Sequence, residues 1–140
     1  VAKAFRCRVI TPESRLLDEE VSAVVAPMWD GQMGFLNQRS AIVGKLGTGE
    51  LRLTFSGGGE RSYFLDGGFA QMVDNRLTLL ANEAVAAEQI NETDAKAELA
   101  AAQARQSQDP KQMERITHDR TKARAKIEIA QRFKAKGGRI

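Results

Sequence analysis

Tyr63-Phe64-Leu65-Asp66-Gly67-Gly68-Phe69-Ala70-Gln71-Met72-Val73-Asp74-Asn75-Arg76-Leu77-Thr78-Leu79-Leu80-Ala81 is the stretch that decides the architecture of this 140-residue chain. Phe69 to Val73 and Leu77 to Ala81 read as extended runs joined by Asp74-Asn75. Both link residues tolerate positive φ, which two-residue hairpins require. Asp66-Gly67-Gly68 separates the first run from another, Ser62 to Leu65. Strand, turn and strand follow each other too closely for a helical crossover, so the pairing is expected to be antiparallel.

The same grammar extends upstream. Phe5, Cys7 and Val9 alternate with Arg6 and Arg8, the period of a half-buried strand. Arg15 to Asp18, Val21 to Ala26, Phe35-Leu36 and Ala41 to Leu46 are further strand candidates, with Thr11 to Ser14 and Asp30 to Gly34 as turns. Leu51, Leu53 and Phe55 lead through Ser56-Gly57-Gly58-Gly59-Glu60 into the run that ends at Leu65. Ala84 to Ala87 is the last candidate. Many short strands with frequent turn signals predict a β-sandwich or barrel.

Near Ile90 the chain changes character. Ala, Glu, Lys and Gln, strong helix formers, dominate Asp94 to Gln106, and Asn91 or Thr93 is suited to cap it. Asp109-Pro110 opens a second helix, because proline at the first helical position loses no hydrogen bond. Gly137-Gly138 is expected to stop it after about Lys136. Two helices with a short link predict an antiparallel hairpin. Met113, Ile116, Ala123, Ile127 and Ala130 form one apolar stripe, and Ala95, Leu99 and Ala102 the other, with Ala97, Ala101 and Ala104 beside it. Both stripes are narrow and rich in alanine, so the hairpin buries little area and is expected to be marginal. The division is therefore a β-sandwich domain over 1–89 and a helical hairpin domain over 90–140, an α+β chain.

Charge follows the same division. Val1 to Asp109 carries 11 Lys+Arg against 15 Asp+Glu, and Pro110 to Ile140 carries 10 against 3. An acidic body thus bears a basic arm. Lys122, Arg124, Lys126, Arg132, Lys134 and Lys136 leave three readings open: a solvated face, nucleic-acid binding, or docking on an acidic protein surface. Phe133 is the one aromatic residue among these cations, short of the stacking series that single-stranded nucleic acid uses, which counts against nucleic acid.

Catalytic chemistry finds no foothold. His118, the one histidine, falls among charged helix residues. No Ser-His-Asp or Cys-His constellation assembles, and no Cys/His cluster has metal-ligand spacing. Gly44 to Gly49 lacks the Gly-Lys-Ser/Thr order of a phosphate loop. Asp18-Glu19-Glu20 reads as a solvated acidic turn. Cys7, the only cysteine, reads as a buried strand thiol and fits a reducing compartment. No run reaches the roughly 20 apolar residues of a membrane helix. No catalytic, cofactor or metal residue is therefore assigned.

Tyr63 to Val73, then Asn75-Arg76-Leu77-Thr78-Leu79-Leu80-Ala81-Asn82-Glu83-Ala84, resembles the epsilon subunit of F-type, proton-transporting ATP synthases. Gly31-Gln32-Met33-Gly34-Phe35-Leu36 is similar to that family's Gly-x-Leu-Gly signature. The resemblance implies a sandwich of about ten strands followed by two C-terminal helices. It implies a non-catalytic rotor subunit without a cofactor, bound to the gamma subunit and the c ring. The helices would fold down or extend along gamma toward the catalytic beta subunits, and the extended form would inhibit ATP hydrolysis. By analogy Gln32 and Arg39 touch the c ring, and the six cations of the second helix face beta. The location implied is the cytoplasmic face of a bacterial plasma membrane, with the thylakoid membrane as second choice. The alternative is a stand-alone β-sandwich module whose basic tail contacts nucleic acid or an anionic membrane.

Two departures from the family pattern stand out. Asn37-Gln38-Arg39-Ser40-Ala41 replaces the family's Pro-Gly-His-Ala-Pro. Ile90, Asn91, Asp94 and Ala95 occupy a motif through which some members bind ATP, Ile/Leu-Asp-x-x-Arg-Ala. Here Asn replaces Asp, and Asp replaces the Arg that would hold phosphate bidentately. Calorimetry with ATP is expected to show no binding that depends on Asn91 and Asp94; a millimolar or tighter constant abolished by mutating them would contradict this.

Overall fold

The structure, a computed structural model, describes residues 4–37 and 40–136. Seven strands are found among them: β1 (Phe5–Ile10), β2 (Arg15–Met28), β3 (Gly31–Leu36), β4 (Ile42–Lys45), β5 (Thr48–Phe55), β6 (Glu60–Val73) and β7 (Arg76–Ala86). A single 3-10 turn (Ala87–Gln89) precedes α1 (Glu92–Ala104) and α2 (Pro110–Ala135). The chain divides into two compact units between Ala86 and Ala87.

In the first unit β1, β7, β6, β5 and β2 pair in that order, and β2 returns to β1, so these strands close on themselves. β3 adds to β2, and β4 adds to β6. All pairs are antiparallel except β1 with β7, which run parallel. This corrects the expectation of purely antiparallel pairing. The first and last strands of the unit meet only when it closes, so no short turn dictates their relative direction.

The expected ten or so strands become seven because three pairs of candidates fuse. In β6 the core takes Tyr63 and Leu65, then Ala70 and Met72. In β7 it takes Leu77, Leu79 and Ala81, then Ala86, with Ala84 packed against it. The inward set changes parity at the same level on both strands, yet the register runs unchanged from Tyr63↔Ala86 to Val73↔Arg76. Gly67 and Gly68, with φ of +71° and +116°, make that change at the bend. A Cβ on Gly68 would collide with the Leu80 carbonyl oxygen. β2 changes parity by a different device, a bulge between Val21 and Ala23 opposite Phe55 and Thr54. Leu17 and Val21 point inward before it, and Val24, Ala26 and Met28 after it.

Two turn expectations are also corrected. Gly31 to Leu36 is strand, and only Trp29-Asp30 turns, because Met28 already pairs with Gly31 and Phe35 is needed in the core. Asp18-Glu19-Glu20 lies in β2 opposite Arg8, Cys7 and Arg6. Arg6 Nε donates to Asp18 Oδ1 at 2.6 Å and holds that carboxyl below its ordinary range. Asp74 and Asn75 do take positive φ, 50° and 61°. Cys7 is fully buried, and burial, with the nearby Asp18 charge, pushes its thiol up to about 12. Gly47 and Gly49 sit where a side chain would strike Met28 and Pro27, so packing explains this loop without a phosphate.

In the second unit Asn91 caps α1, its side chain accepting from Asp94 N at 3.1 Å. Asp109 caps α2, accepting from Lys111 N at 3.0 Å, with Pro110 in the first turn. Lys136 closes α2, and Gly137-Gly138 lies outside the described residues. Ala95 and Ala102 of α1 and Ile116, Ala123, Ile129 and Ala130 of α2 are buried. Ile129 was not part of the predicted stripe. Leu99, Met113 and Ile127 are only half-buried, and Ala97, Ala101 and Ala104 are exposed.

Two substitutions separate the bend from ordinary core packing. Leu77→Ala, at a fully buried position, is expected to lose about 2–5 kcal/mol to cavity formation. Gly68→Ala adds only a methyl group, yet is expected to cost more than about 2 kcal/mol through positive-φ strain and the clash with β7. Urea unfolding of both variants measures this, and a neutral Gly68→Ala would remove the bend from its structural role.

Candidate functional site: an apolar strip and a charge-laced hairpin

Alternation along β6 and β7 turns Ala70, Met72, Leu77 and Leu79 inward and leaves their neighbours outside. Phe69 pairs directly with Leu80, and on its other side with Lys45 of β4. Leu80 pairs with half-buried Ile10 of β1, and Val43 lies one step along β4 from Lys45's neighbour Gly44. A line of apolar side chains, Ile10, Leu80, Phe69 and Val43, thus crosses four strands on the outer face. Phe69 is 57% exposed, Leu80 50% and Val43 70%. Such a cluster marks a binding surface more often than scattered apolar residues do.

Near one end of this strip lies the β2–β3 turn. Trp29, the only tryptophan, is exposed there, and its backbone amide N–H donates to the Lys45 carbonyl at 3.0 Å. Gln32 is exposed on β3, paired with Pro27. Arg39 lies outside the described residues.

The hairpin is joined by charge at three levels. Near the loop, Arg105 meets Asp119 at 2.7 Å. In the middle, Lys126 meets Glu98 at 3.6 Å. At the far end, Glu92 receives Lys96 and Lys134 at 3.0 Å each and Gln131 at 3.2 Å. Arg120 adds a cap, its guanidinium donating to the carbonyls of Ala102 (3.1 Å), Gln103 (3.4 Å) and Arg105 (3.2 Å) at the end of α1. The Ala102 carbonyl also accepts from the Arg105 backbone N–H at 3.3 Å, and a cation at this end suits the helix dipole. Glu98, Ala102, Arg105, Asp119, Lys122 and Lys126 line a shallow groove between the helices.

Of the six cations singled out on α2, Lys126 and Lys134 are therefore committed to α1, and Lys122 lies on the groove. Arg132 reaches Glu128 of its own helix at 3.9 Å. Arg124 and Lys136 are exposed. At the degenerate ATP motif, Asn91 caps α1, Asp94 is exposed in the first helical turn, and Ala95 is buried. The residues that depart from the motif thus do helix-start chemistry: a side-chain cap and a negative charge at the positive end of the dipole. Sequence reasoning missed Phe69 and Leu80 as outward residues, Trp29, Arg120 and the Glu92 cluster. Only Trp29 carried a signal, as a lone large aromatic beside a turn.

A closed sandwich bearing an apolar outer strip, followed by a basic helical hairpin, is a two-unit architecture with outward surfaces of the kind that bind other proteins. The family described as ATP synthase, Delta/Epsilon chain, beta-sandwich domain, matches residues 4–87. The chain is 40% identical over 109 residues to the ATP synthase epsilon chain of Rhodopirellula baltica, covering 78% of this chain and 84% of that one. It is 32% identical over 94 residues to the sodium ion specific ATP synthase epsilon chain of Propionigenium modestum, covering 67% and 68%. Among solved structures, a chain of the Euglena gracilis mitochondrial ATP synthase OSCP/F1/c-ring assembly superposes with a TM-score of 0.71 at 26% identity, over 95% of this chain and 81% of that one. A chain of the Tetrahymena thermophila mitochondrial ATP synthase central stalk and c ring gives 0.64 over 89% and 95%; at 16% identity it speaks for the fold alone. The chain belongs to the ATP synthase delta/epsilon family, whose epsilon chains are non-catalytic subunits of that membrane-associated complex.

The Glu92 cluster makes hairpin stability depend on pH. Hydrogen bonds from Lys96, then Lys134 and Gln131, lower this carboxyl from 4.5 to about 2. A lowered carboxylate stabilises fully above its unfolded value, and that stabilisation is lost as pH falls through the folded one. Helix content followed by circular dichroism during denaturation is expected to lose stability between about pH 5 and pH 2. Glu92→Gln should flatten that part of the profile.

Proposed function

We propose that the chain is a rotor, central-stalk subunit of an ATP synthase and that the strip of Ile10, Leu80, Phe69 and Val43 is its seat on the gamma subunit. The strip is the observation that carries this reading. It is apolar and crosses four strands of a closed sandwich, so it needs a protein partner rather than a small ligand. The β2–β3 turn, with Gln32 and Trp29, and Arg39 after it, then faces the c ring. The α1–α2 hairpin acts as a brake on ATP hydrolysis by presenting α2 cations to an acidic surface of the catalytic beta subunits. The working location is the cytoplasmic face of a bacterial plasma membrane, reached through the complex. Membership of the family and the likeness to chains of ATP synthase assemblies support this reading. A nucleic-acid role for α2 is disfavoured because Phe133 is the single aromatic residue among its cations, which leaves no series of rings for bases to stack on.

Two changes test the two halves separately. Phe69→Asp combined with Leu80→Asp replaces outward side chains, so the fold should persist while gamma binding weakens by roughly 30-fold or more. Co-purification with gamma measures it, and undiminished capture would rule out the strip as the seat. A complex rebuilt with the chain ending at Ile90 is expected to assemble and to hydrolyse ATP faster. Failure to assemble would show that the helices are needed for docking.

A further inference from the structure

The acidic body carries one face of opposite charge. Val1 to Asp109 holds 11 Lys+Arg against 15 Asp+Glu. On the segments that build the apolar strip, β4, β1 and residues 69–80, the charged residues are Lys45, Arg76, Arg6 and Arg8 against Asp74 alone. The register sets these cations beside the strip. Thr78 and Arg8 are neighbours two residues along from Leu80 and Ile10, and Arg76 and Arg6 are neighbours two residues further. Lys45 stands opposite Phe69. On β2, the oxygens of Asp18 are taken by Arg6 and Arg15, at 2.6 and 3.3 Å. Arg8, opposite Asp18 in register, leans the other way and donates to Thr78 Oγ1 at 3.3 Å. Arg8, Arg76 and Lys45 form no ion pair among the described residues. Like charges side by side weaken a sheet, so the fold gains nothing from placing Arg76 next to Arg6.

We propose that Arg8, Arg76 and Lys45 read carboxylates flanking an apolar ridge on the gamma subunit, and that these charges decide which partner the strip accepts and how fast. The inference rests on the strip being the seat on gamma and adds the chemistry of what sits there. Apolar contact is non-directional, so Phe69 and Leu80 alone would accept any ridge of suitable shape. The guanidinium groups beside them lose water on docking and recover that loss only where an acceptor meets them. A partner without carboxylates at those places is therefore rejected. Arginine suits the task because its planar fork holds a carboxylate bidentately. The rest of the body is negative, so an acidic partner is drawn to this face and turned away from others, which orients the encounter. An anionic membrane fits less well. Arginine side chains reach further from the sheet than Phe69 and Leu80, so a planar surface would meet the cations and leave the strip uncovered.

Association kinetics separate this proposal from a merely structural role. The full-length chain is passed over the gamma-bearing catalytic complex, depleted of its own copy and immobilised for surface plasmon resonance, at low and at moderate salt. Arg8→Gln with Arg76→Gln is expected to slow association by roughly three- to tenfold at low salt and to flatten its salt dependence. Arg8→Lys with Arg76→Lys keeps the charge and should restore the association rate, while dissociating faster than the parent because lysine cannot hold a carboxylate bidentately. The glutamine variant should melt no lower than the parent, since it removes a pair of like charges. A lowered Tm with an unchanged salt dependence would assign the arginines to the fold instead and overturn the proposal. If the glutamine variant associates like the parent while Phe69→Asp with Leu80→Asp loses capture, the charge reading is refuted and the seat stands. If neither variant weakens capture, seat and charge reading fall together. If the glutamine variant keeps capture and instead loses binding to phosphatidylglycerol vesicles, the face is a membrane surface and the proposal is overturned.

Discussion

The bend at Gly67-Gly68 is the constraint on which the sandwich and its outer strip depend. A strand can show only every second side chain to the core. β6 and β7 are long enough to contribute to both ends of a closed structure, and the set that must face inward differs between those ends. Two glycines with positive φ let both strands change parity while their ladder stays in register. Past the bend, Ala70 and Met72 fill the core, which obliges Phe69 to point outward opposite Leu80. The exposure of two large apolar residues is therefore a consequence of the same device that closes the fold.

The helical unit is organised by a different balance. Alanines let the helices approach closely but bury little apolar area, and what they lack is supplied by pairs placed at the loop, the middle and the far end. Arg120 covers the last carbonyls of α1, and Glu92 gathers the far end of α2. Pairs of this exposure contribute little individually. A unit held this way is stable enough to have a defined geometry and weak enough to be remodelled by a partner of matching charge. That property links the composition of the arm to the role proposed for it.

Much of the local structure was legible from residue chemistry. Asp74-Asn75 announced the hairpin that the positive φ values show. Asn91 and Asp109-Pro110 announced both helix starts. The alternation of Phe5, Cys7 and Val9 placed the thiol inside. β6 and β7 were split where inward parity changes, at Gly67-Gly68 and at Asn82-Glu83, because a change of phase looks like a break to any reading based on period two; β2 was split earlier than its bulge, at Glu19-Glu20, because adjacent carboxylates read as a solvated turn. The turn from Asp30 to Gly34 was overestimated for a related reason: its glycines suggested looseness, but pairing with β2 keeps four of those five residues extended.

What the sequence by itself determined is local: which segments extend, which coil into helices, where each begins, and that the arm is basic over an acidic body. These follow from backbone preferences and side-chain capping within a few residues. Only the tertiary structure decided which faces of β4, β6, β7 and β1 line up to make one apolar strip. It alone decided which carboxylate of α1 meets which cation of α2. Those are contacts between residues distant in the chain, set by register and closure, and no local preference encodes them. For that reason Phe69 and Lys126, ordinary residues in the sequence, became the informative ones in the fold.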